Sequence, residues 1–481
     1  MSATRTIADL PGPRGLPLLG NALQLLPVSR AHLTIEAWSQ RYGPIFQFRA
    51  GSRRWVALAD QEEINAVLRD RPEGFRRLRE LARSFEEIGF VGVFAAEGEA
   101  WRRQRRLVVT ALNANQLHRH FDVIGLATRR LQQRLREQAR LDEPLRIAQP
   151  LTSFAVDVTS ALAFGHDLNT LERGEVELQR HIQLAFKMLA HRALFPFPYW
   201  RWFELPADRA MKRSVVELRS AVAGFIERAR AEMRQRPQLC EEPENFLQGM
   251  LAAQQSEGRF TDDEIIGNVF TLLLAGEDTT AHTLAWTIWF LAQHKDIQER
   301  LAEEAVGLLG QERCPADHEQ ASSFLYGEAV IREAIRLKPV AVWESGEPLK
   351  DMTICGTLIP AGTRVTMLKR RVSLGAGGPE FEPERWLEHD ERQAPDTKSF
   401  LGFGAGPRFC PGRNLAFLEA KTALAMIAAD FEIELDDTSG PVSEDVSFTM
   451  IPKGLRVRLT SRAVTTPTQE DTRNDRRLGV G

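Results

Sequence analysis

The feature that most constrains the fold is a long apolar segment that begins at Thr261 and predicts a single helix. Thr261 and Glu264 have the spacing of a capping box, in which each side chain bonds the backbone N–H of the other residue. Asp262 and Asp263 then suit the positive end of the helix dipole. The segment continues with apolar residues on most sides: Ile265, Val269, Leu272, Leu273 and Leu274. This pattern predicts a helix that runs through the core.

The middle of this helix interrupts the apolar pattern with the string AGEDTT, residues 275–280. Ala275 and Gly276 are small enough for a flat ligand to approach, and Gly276 permits a local opening. Asp278 and Thr279 place a carboxylate and a hydroxyl where folding needs nothing polar, and such a pair suits proton relay through water. The alternative is a helix kink, in which the threonine hydroxyls bond their own backbone.

A second feature is the segment 403–412, which places Cys410 just before a predicted helix at 414–431. Three glycines allow this backbone to turn sharply and lie close to a flat ligand: Gly404, Gly406 and Gly412. Backbone N–H groups near the helix start can stabilise a thiolate and lower the pKa of Cys410. Arg408 offers a cation to a carboxylate or phosphate, and Phe403 offers an aromatic wall. The alternative is a buried structural cysteine near a turn.

The composition excludes several other classes of protein. The 481 residues are 43% hydrophobic and 26% charged, and the net charge of −3 does not favour nucleic-acid binding. The four cysteines are far apart and the ten histidines form no H-E-x-x-H motif, so no zinc site is predicted. Scattered cysteines in a large chain favour a reducing compartment. The sequence predicts neither a membrane-spanning helix nor a secretory signal.

The rest of the chain predicts a mainly α protein with small β-sheets. The expected elements are a helix at 31–41, a hairpin of strands 45–48 and 55–58, helices over most of 60–320, strands within 354–368 and 445–459, and a Gly- and Pro-rich loop at 371–383. No repeat or composition break divides the chain. We therefore expect a single domain over residues 1–460 and a polar, disordered tail at 461–481.

The cysteine loop resembles the haem-ligand loop of the cytochrome P450 superfamily, whose fixed positions are matched by Phe403, Gly406, Arg408, Cys410 and Gly412. The string at 275–280 is similar to the family's oxygen-activation motif. The resemblance spans about residues 10–460 and implies the cytochrome P450 fold, with a long central helix over haem. It implies haem b as the cofactor and Cys410 as the iron ligand. It also implies that Asp278 and Thr279 are catalytic, with Thr279 holding a water and Asp278 feeding protons.

The resemblance gives a structural role to an acidic and basic cluster. Glu333 and Arg336 are three apart and share a helix face. With Arg385 they match the family's buried Glu–Arg–Arg cluster, which holds the loop before the cysteine.

A propionate site is implied on another predicted helix. Trp101 and Arg105 are four apart, so an indole N–H and a guanidinium can hold one carboxylate, and the family uses such a pair, assisted here by Arg408, for a haem propionate. From the residues alone a solvated basic face is the alternative. Three neighbouring arginines are expected on that wet face: Arg102, Arg103 and Arg106. In the family this face receives the electron donor, which implies a ferredoxin or flavodoxin with its NAD(P)H reductase.

An apolar substrate pocket is implied by position relative to these motifs. The expected lining is Phe90, Val93, Phe94, Phe270, Leu274, Val340, Val342 and Met450, which favours an apolar small molecule. Glu277 could face either the pocket or solvent, and His282 is expected to be packed or at the surface. The basic stretch Arg76–Arg83 is expected to be solvated, with contact to a substrate carboxylate as the alternative.

Together these features predict a haem-thiolate monooxygenase that inserts one oxygen atom from O2 into an apolar small molecule by hydroxylation or epoxidation. Its electrons would come from a separate protein. The alternatives are a peroxide-dependent hydroxylase or isomerase on the same scaffold, and a haem-based sensor or carrier. Because no N-terminal anchor is evident, we expect a soluble, bacterial-type, cytoplasmic protein.

Overall fold

The computed structural model describes residues 5–174, 176–194, 198–257, 260–375, 377–387, 399–436, 438 and 440–463. The α-helices among them are α1 (Ala31–Tyr42), α2 (Gln61–Arg69), α3 (Arg79–Ile88), α4 (Gly98–Ala111), α5 (Ala114–Arg119), α6 (Phe121–Leu141), α7 (Ala148–Phe164), α8 (Thr170–Arg173), α9 (Glu177–Leu194), α10 (Pro206–Gln235), α11 (Phe246–Glu257), α12 (Asp262–Leu291), α13 (Lys295–Leu309), α14 (His318–Ser322), α15 (Leu325–Leu337), α16 (Lys369–Gly375) and α17 (Arg413–Asp430).

The strands form small sheets at the edges of this helical body. They are β1 (Arg5–Thr6), β2 (Ile45–Ala50), β3 (Arg53–Leu58), β4 (Phe75–Arg77), β5 (Glu344–Pro348), β6 (Met352–Ile354), β7 (Thr357–Ile359), β8 (Arg364–Met367), β9 (Phe431–Leu435), β10 (Ser443–Val446), β11 (Met450–Lys453) and β12 (Val457–Ser461). The largest sheet has the order β2-β3-β8-β5-β4, with β3 and β8 parallel and the other neighbours antiparallel. The fold class is therefore mainly α with small sheets, as the sequence predicts.

The long central helix α12 confirms the prediction made from its capping box. The Thr261 hydroxyl accepts from the Glu264 N–H at 3.2 Å, and the Glu264 carboxylate accepts from the Thr261 N–H at 2.9 Å. From there α12 runs 30 residues through the main core and packs against α7, α15 and α17. These bounds place residues 275–280 at the middle of α12.

Two parts of the chain differ from the sequence prediction. Residues 371–375, predicted as loop, continue the short helix α16, and Ser373 there donates to the Ser399 carbonyl at 2.8 Å. Strand β4 lies inside the stretch predicted to be mainly helical, because it pairs with β5, more than 260 residues later. Tertiary pairing of this kind overrides local helical patterning.

The described fold extends slightly past residue 460. Strand β12 ends at Ser461, and the Arg462 guanidinium holds both carboxylate oxygens of Glu299 at 2.9 and 3.0 Å. The predicted tail thus begins within an ordered element, and residues 464–481 lie outside the described residues.

Candidate haem-binding and oxygen-activation site

The cysteine loop is folded by its own backbone and by the end of α2. The Cys410 N–H donates to the Phe403 carbonyl at 2.9 Å, and the Phe409 N–H donates to the Gly406 carbonyl at 3.1 Å. Gly406 has φ = 68°, and a Cβ there would lie 2.3 Å from the Leu68 carbonyl oxygen. Only glycine fits that position, so the loop is held close against α2.

The Cys410 sulfur lies between opposing electrostatic influences. Burial raises the pKa of the Cys410 thiol, while the Gly412 N–H, Arg105 and Lys369 all act to lower it. The sequence predicts that backbone N–H groups lower the pKa of Cys410, and the Gly412 N–H does act in that direction. The net shift is nevertheless upward, because the effect of burial is larger than that of the N–H group and the two cations. A metal ion on the sulfur would favour the thiolate outright.

A cluster of cations lies beside this loop with few carboxylates to balance it. It contains Arg71, Arg77, Arg105, Lys369 and Arg408, together with Glu97 and Glu344. Arg71 pairs with Glu344, Lys369 lies 3.8 Å from the same carboxylate, and Arg408 pairs with Glu97. We call this set the cation cluster.

The cation cluster carries uncompensated positive charge. Burial and neighbouring Arg71 lower the pKa of Arg77 to about 9, and burial is also the main cause that lowers the pKa of Arg408 to about 10. Two nitrogens of Arg71 (Nε, Nη2) and two of Arg408 (Nε, Nη1) are buried with no hydrogen-bond partner among the described residues. Five cations against two carboxylates leave three positive charges. A thiolate and the two propionates of haem b carry three negative charges, so the residues fit that cofactor.

The residues predicted to hold a propionate meet at this cluster. Trp101 is 6% exposed on α4, and the Arg408 guanidinium lies 4.6 Å from the centre of its ring. Arg105, one helical turn after Trp101, donates to the Phe409 carbonyl at 2.6 Å. Of the residues expected on the wet face, Arg102 pairs with Glu73 and Glu99, Arg103 pairs with Glu264, and Arg106 is exposed.

Three members of the cation cluster were missed by the sequence prediction. Arg77 belongs to the stretch expected to be solvated, yet it donates to the Phe94 carbonyl at 2.5 Å and lies over the Phe94 ring. Arg71 and Lys369 are almost fully buried and come from distant parts of the chain. No local sequence signal marks Arg71, because a solvated and a buried arginine before Pro72 look alike in the sequence.

The middle of α12 has the predicted polar residues in a continuous helix. The Thr279 hydroxyl donates to the Ala275 carbonyl at 2.6 Å. This contact is the one expected from the alternative in which the threonine hydroxyls bond their own helix backbone. Burial raises the pKa of Asp278, which is opposed only by His282. Ala275 is exposed, whereas its neighbours Leu274 and Gly276 on α12 are buried and partly buried. A side chain at Gly276 would not fit the packing of α12 against α7, because a Cβ there would lie 2.2 Å from the Thr159 hydroxyl oxygen. The predicted place of Gly276 beside a flat ligand stays a prediction.

Two further residues of α12 have buried partners. Glu277 is 4% exposed and accepts from the Gln183 amide at 2.9 Å and from Gln179 at 3.5 Å, both on α9. It therefore faces a neighbouring helix and not bulk solvent. His282 is packed, with Nδ1 3.4 Å from the Thr449 hydroxyl, and burial lowers its pKa.

The Glu–Arg–Arg cluster is assembled as the family pattern implies. The fully buried Glu333 accepts from Arg336 at 2.7 and 2.8 Å and from Arg385 at 3.0 Å. The Trp386 indole N–H and the Glu382 backbone N–H also donate to it. These contacts fix the segment around Arg385 against α15.

The predicted pocket residues include members of two separate packed groups. Phe90 and Phe270 stack at 4.1 Å and are fully buried, and the Val93 N–H donates to Asn268 at 2.9 Å. Val342 and Met450 pack in a second, small core with Trp286. Of the predicted set, Phe90, Phe270 and Met450 are core residues with almost no exposed surface.

The partly exposed Phe448 contacts two other aromatic rings of this region. The Phe94 ring lies 5.8 Å from Phe448, and the Phe448 ring lies 4.4 Å from Phe186 of α9. These rings come from three separate parts of the chain. Leu274 is buried on α12, and Val340 is partly exposed and accepts from the Met450 N–H at 2.8 Å.

Within the described residues, none of the helices has the length and apolarity needed to cross a membrane. The same part of the chain holds no cluster of three histidine, cysteine or acidic residues placed to bind a metal ion. A single thiolate ligand does not require one.

Comparison with known proteins gives a consistent assignment. The sequence model of the cytochrome P450 family matches residues 10–459. The chain is 29% identical to the mitochondrial 25-hydroxyvitamin D-1 alpha hydroxylase of Homo sapiens, over 94% of this chain and 92% of that protein. It is 27% identical to the cytochrome P450 CYP13A3 of Caenorhabditis elegans, over 94% of this chain and 93% of that protein. The self-sufficient cytochrome P450 monooxygenase CYP505E5 of Aspergillus kawachii is 28% identical over 95% of this chain, which spans 44% of that longer protein.

Proposed function

Because the chain belongs to the cytochrome P450 family, a family of haem-thiolate monooxygenases that bind haem b, we propose that it oxidises an apolar small molecule with electrons from a separate protein. The observation that carries this proposal is the cysteine loop beside a cation cluster with three excess positive charges. A lone structural cysteine would not require that charge. When bound, the haem supplies the activation of O2 and the insertion of one oxygen atom into a C–H or C=C bond.

The proposed binding roles follow from charge and position. Cys410 would hold the iron through its sulfur, with the Gly412 N–H stabilising the thiolate. Arg408, Arg105 and the Trp101 indole would hold one propionate, and Arg71 would reach the other with its unpartnered nitrogens.

Asp278 and Thr279 are proposed to move and hold protons. Burial raises the pKa of Asp278, so its carboxyl carries a proton more readily than a solvated aspartate does. The Thr279 hydroxyl donates to Ala275, but its oxygen lone pairs can still accept from a water. The protonated Asp278 and this acceptor would together orient that water.

The substrate is proposed to be apolar because of the aromatic rings that contact Phe448. Phe94, Phe186 and Phe448 offer aromatic surface and no charge, and Phe94 and Phe448 are partly exposed. The human relative is named as a hydroxylase of a vitamin D compound.

A ferredoxin or flavodoxin, with its NAD(P)H reductase, is the proposed electron donor. Support comes from the exposed Arg106 on α4, close to the residues that would hold the haem. Reduction by such a donor should slow as ionic strength rises. The relatives named above come from animals and a fungus, so the expectation of a bacterial-type, cytoplasmic protein stays a prediction.

The optical spectrum of the purified ferric protein is the first test, titrated with fatty acids, terpenoids, steroids and polyketides. A thiolate-type haem spectrum whose spin state shifts with one class would support the proposal and identify the substrate class. The Cys410→Ser variant should lose the thiolate signature, with Cys240→Ser as the control because Cys240 is exposed. A wild-type protein that shows no thiolate-type haem would refute the proposal.

A further inference from the structure

A cavity lies between α6, α7 and the junction of α10 with α11. Its volume is about 310 Å³, which is at the lower end of the range for small-molecule sites. None of the described residues that line it belongs to the cysteine loop, the cation cluster, α12 or the rings that contact Phe448. The chemistry proposed above therefore leaves this cavity unused.

One wall of the cavity is apolar. Val123 and Leu126 come from α6, and Ala161, Leu162 and Phe164 come from α7. Leu126 is 42% exposed, so the protein itself does not fully cover this wall. A small molecule with an apolar part would remove this surface from water, which is favourable.

The other walls carry four carboxylates, contributed by Asp157, Asp167, Glu232 and Glu244. Arg130 donates to both oxygens of Asp167 at 2.8 Å. Arg236 donates to Glu232 at 3.0 Å and to Glu244 at 3.1 Å. The nearby Glu172 and Arg173 carry opposite charges and leave the balance unchanged. Four carboxylates against two guanidinium groups leave two negative charges, so the cavity favours a cation.

The buried Asp157 lies deepest in this negative region. It accepts from the Thr170 N–H at 2.7 Å, the Thr170 hydroxyl at 2.8 Å and the Leu171 N–H at 3.1 Å, which are neutral donors. Burial raises the pKa of Asp157, and the negative charge of Asp167 adds to that rise. A cation bound in the cavity would relieve this repulsion.

A neutral acceptor lies where the cavity meets a neighbouring cleft. His120 lines both, and its ring has no hydrogen-bond partner among the described residues. Burial lowers the pKa of His120, and Arg119 adds to this effect, so the imidazole is mostly neutral at pH 7. The ring nitrogen without a proton can then accept from an ammonium N–H. The cleft also contains Asp122 and Glu242, which outnumber Arg119.

We propose that this cavity is a second small-molecule site, which binds an organic cation through its ammonium group and its apolar body. The ammonium group would lie between His120 and the carboxylates, and the apolar body would lie against Leu126 and Phe164. The inference goes beyond the function proposed above and does not depend on it, because the two sites share no described residue.

Calorimetric titration of the haem-loaded protein with four small aromatic probes tests the charge preference. Benzylammonium and benzyltrimethylammonium are cations, benzyl alcohol is neutral and phenylacetate is an anion. We expect one equivalent of either cation to bind, and neither of the other two probes to compete with it. The haem absorption spectrum, recorded in the same titration, reports any binding of the amine to the iron. Equal binding of all four probes, or no saturable binding of the cations, would refute the proposal.

Variants locate the binding site. Ala161→Phe fills the cavity and should abolish binding of both cations, whereas Ala139→Phe adds the same ring to α6 outside the cavity and should not. Glu244→Gln should weaken both cations by up to about fivefold, the range for a partly exposed charge. Glu137→Gln is its control, because Glu137 is exposed on α6 and does not line the cavity.

His120→Phe separates the hydrogen bond from the charge. It should weaken benzylammonium about fivefold, the effect of one hydrogen bond, and leave benzyltrimethylammonium unchanged, because that cation has no N–H. If Ala161→Phe and Glu244→Gln bind benzylammonium as wild type does, the proposed site is wrong. A haem spectral shift that persists in these variants, with no other binding, would place the amine at the iron and also refute it. Neither result affects the proposed function, which fails only if wild type lacks a thiolate-type haem spectrum.

Discussion

The single hydrogen of the Thr279 hydroxyl is committed to the Ala275 carbonyl, so any catalytic role must use the oxygen lone pairs. Thr279→Ala removes those lone pairs without changing charge. We expect product formed per electron consumed to fall by about tenfold or more, within the range of acid–base contributions. The haem spectrum should not change. The measurement is reductant consumption and product yield with any substrate identified by spin-state shift.

Thr287→Ala is the control for this prediction. Thr287 is fully buried on the same helix and donates to the Thr283 carbonyl at 2.8 Å, so it carries an equivalent backbone contact away from Asp278. The Thr287→Ala substitution should slightly lower the free energy of unfolding and leave unchanged the amount of product formed per electron consumed. If Thr279→Ala and wild type form the same amount of product per electron consumed, the Thr279 hydroxyl has only a structural role. That result would favour the alternative of a peroxide-dependent hydroxylase or an isomerase that needs no electron donor.

Gly406 tests the close approach of the cysteine loop to α2. Gly406→Ala places a methyl 2.3 Å from the Leu68 carbonyl oxygen at a φ of 68°. Gly51→Ala is the control, because Gly51 has a similar φ of 62° but no atom within 4 Å of the added carbon. We expect Gly51→Ala to cost ~1 kcal/mol of unfolding free energy from backbone strain alone. Gly406→Ala should cost more and reduce haem content. Urea unfolding and haem absorbance measure both, and equal effects would contradict the steric argument.

The residues that sequence could place are those with a fixed spacing to a motif. Trp101, Arg105 and Arg408 come together because two of them lie one turn apart on a helix and the third lies two residues from Cys410. Their proposed role in holding a propionate stays a prediction. Arg71 and Lys369 have no such spacing, and only tertiary folding brings them to the same carboxylate, Glu344.

At the scale of elements, the Glu333 cluster joins α15 to the segment that leads towards the cysteine loop. Glu333→Gln removes the charge that two arginines share while leaving both of them buried or half-buried. Removing one partner of a buried ion pair costs about 3–5 kcal/mol. Glu299→Gln is the control, since Glu299 is 52% exposed and its pair with Arg462 should be worth about 1 kcal/mol or less. Urea unfolding of both variants should show this difference, and equal costs would mean that the Glu333 cluster contributes little to stability.

Elements with local signals were predicted and those fixed by distant partners were not. The capping box and apolar faces of α12 are properties of adjacent residues, so its start was placed correctly. Strand β4 is three residues long and exists because β5 pairs with it. Helix α16 begins at Lys369 and ends inside a stretch whose glycines and proline predict a loop, and its contact with Ser399 is invisible in a local pattern.

At the scale of the whole molecule, one carboxylate ties the N-terminal region to the C-terminal hairpin. Glu444 of β10 accepts from His32 of α1 and from Arg370 of α16 at 2.6 Å each, and it also pairs with Lys338 at the end of α15. Arg370 reaches Glu36 of α1 at 3.3 Å as well. These contacts join four elements far apart in sequence, so we expect them to contribute to cooperative unfolding.

The stability supplied by Glu444 should depend on pH with a definite sign. Its hydrogen bond with His32 and the charges of Arg370 and Lys338 outweigh burial and hold the pKa of Glu444 far below its usual range. A carboxyl whose pKa is lowered on folding stabilises the protein fully above its unfolded pKa of about 4.3, and this stabilisation is lost as pH falls towards the folded value. Glu444→Gln should therefore be clearly less stable than wild type at pH 7.

The difference in unfolding free energy between wild type and Glu444→Gln should shrink steadily below about pH 4.3, because only wild type loses the stabilisation by the Glu444 carboxylate. Urea unfolding from pH 7 to pH 3 measures it, with Glu432→Gln as a control whose partner, Lys295, is largely exposed. The test measures stability only and does not depend on a change in activity, because the residues around Glu444 have no proposed catalytic role. A constant difference across this range would mean that Glu444 contributes by packing and not by charge.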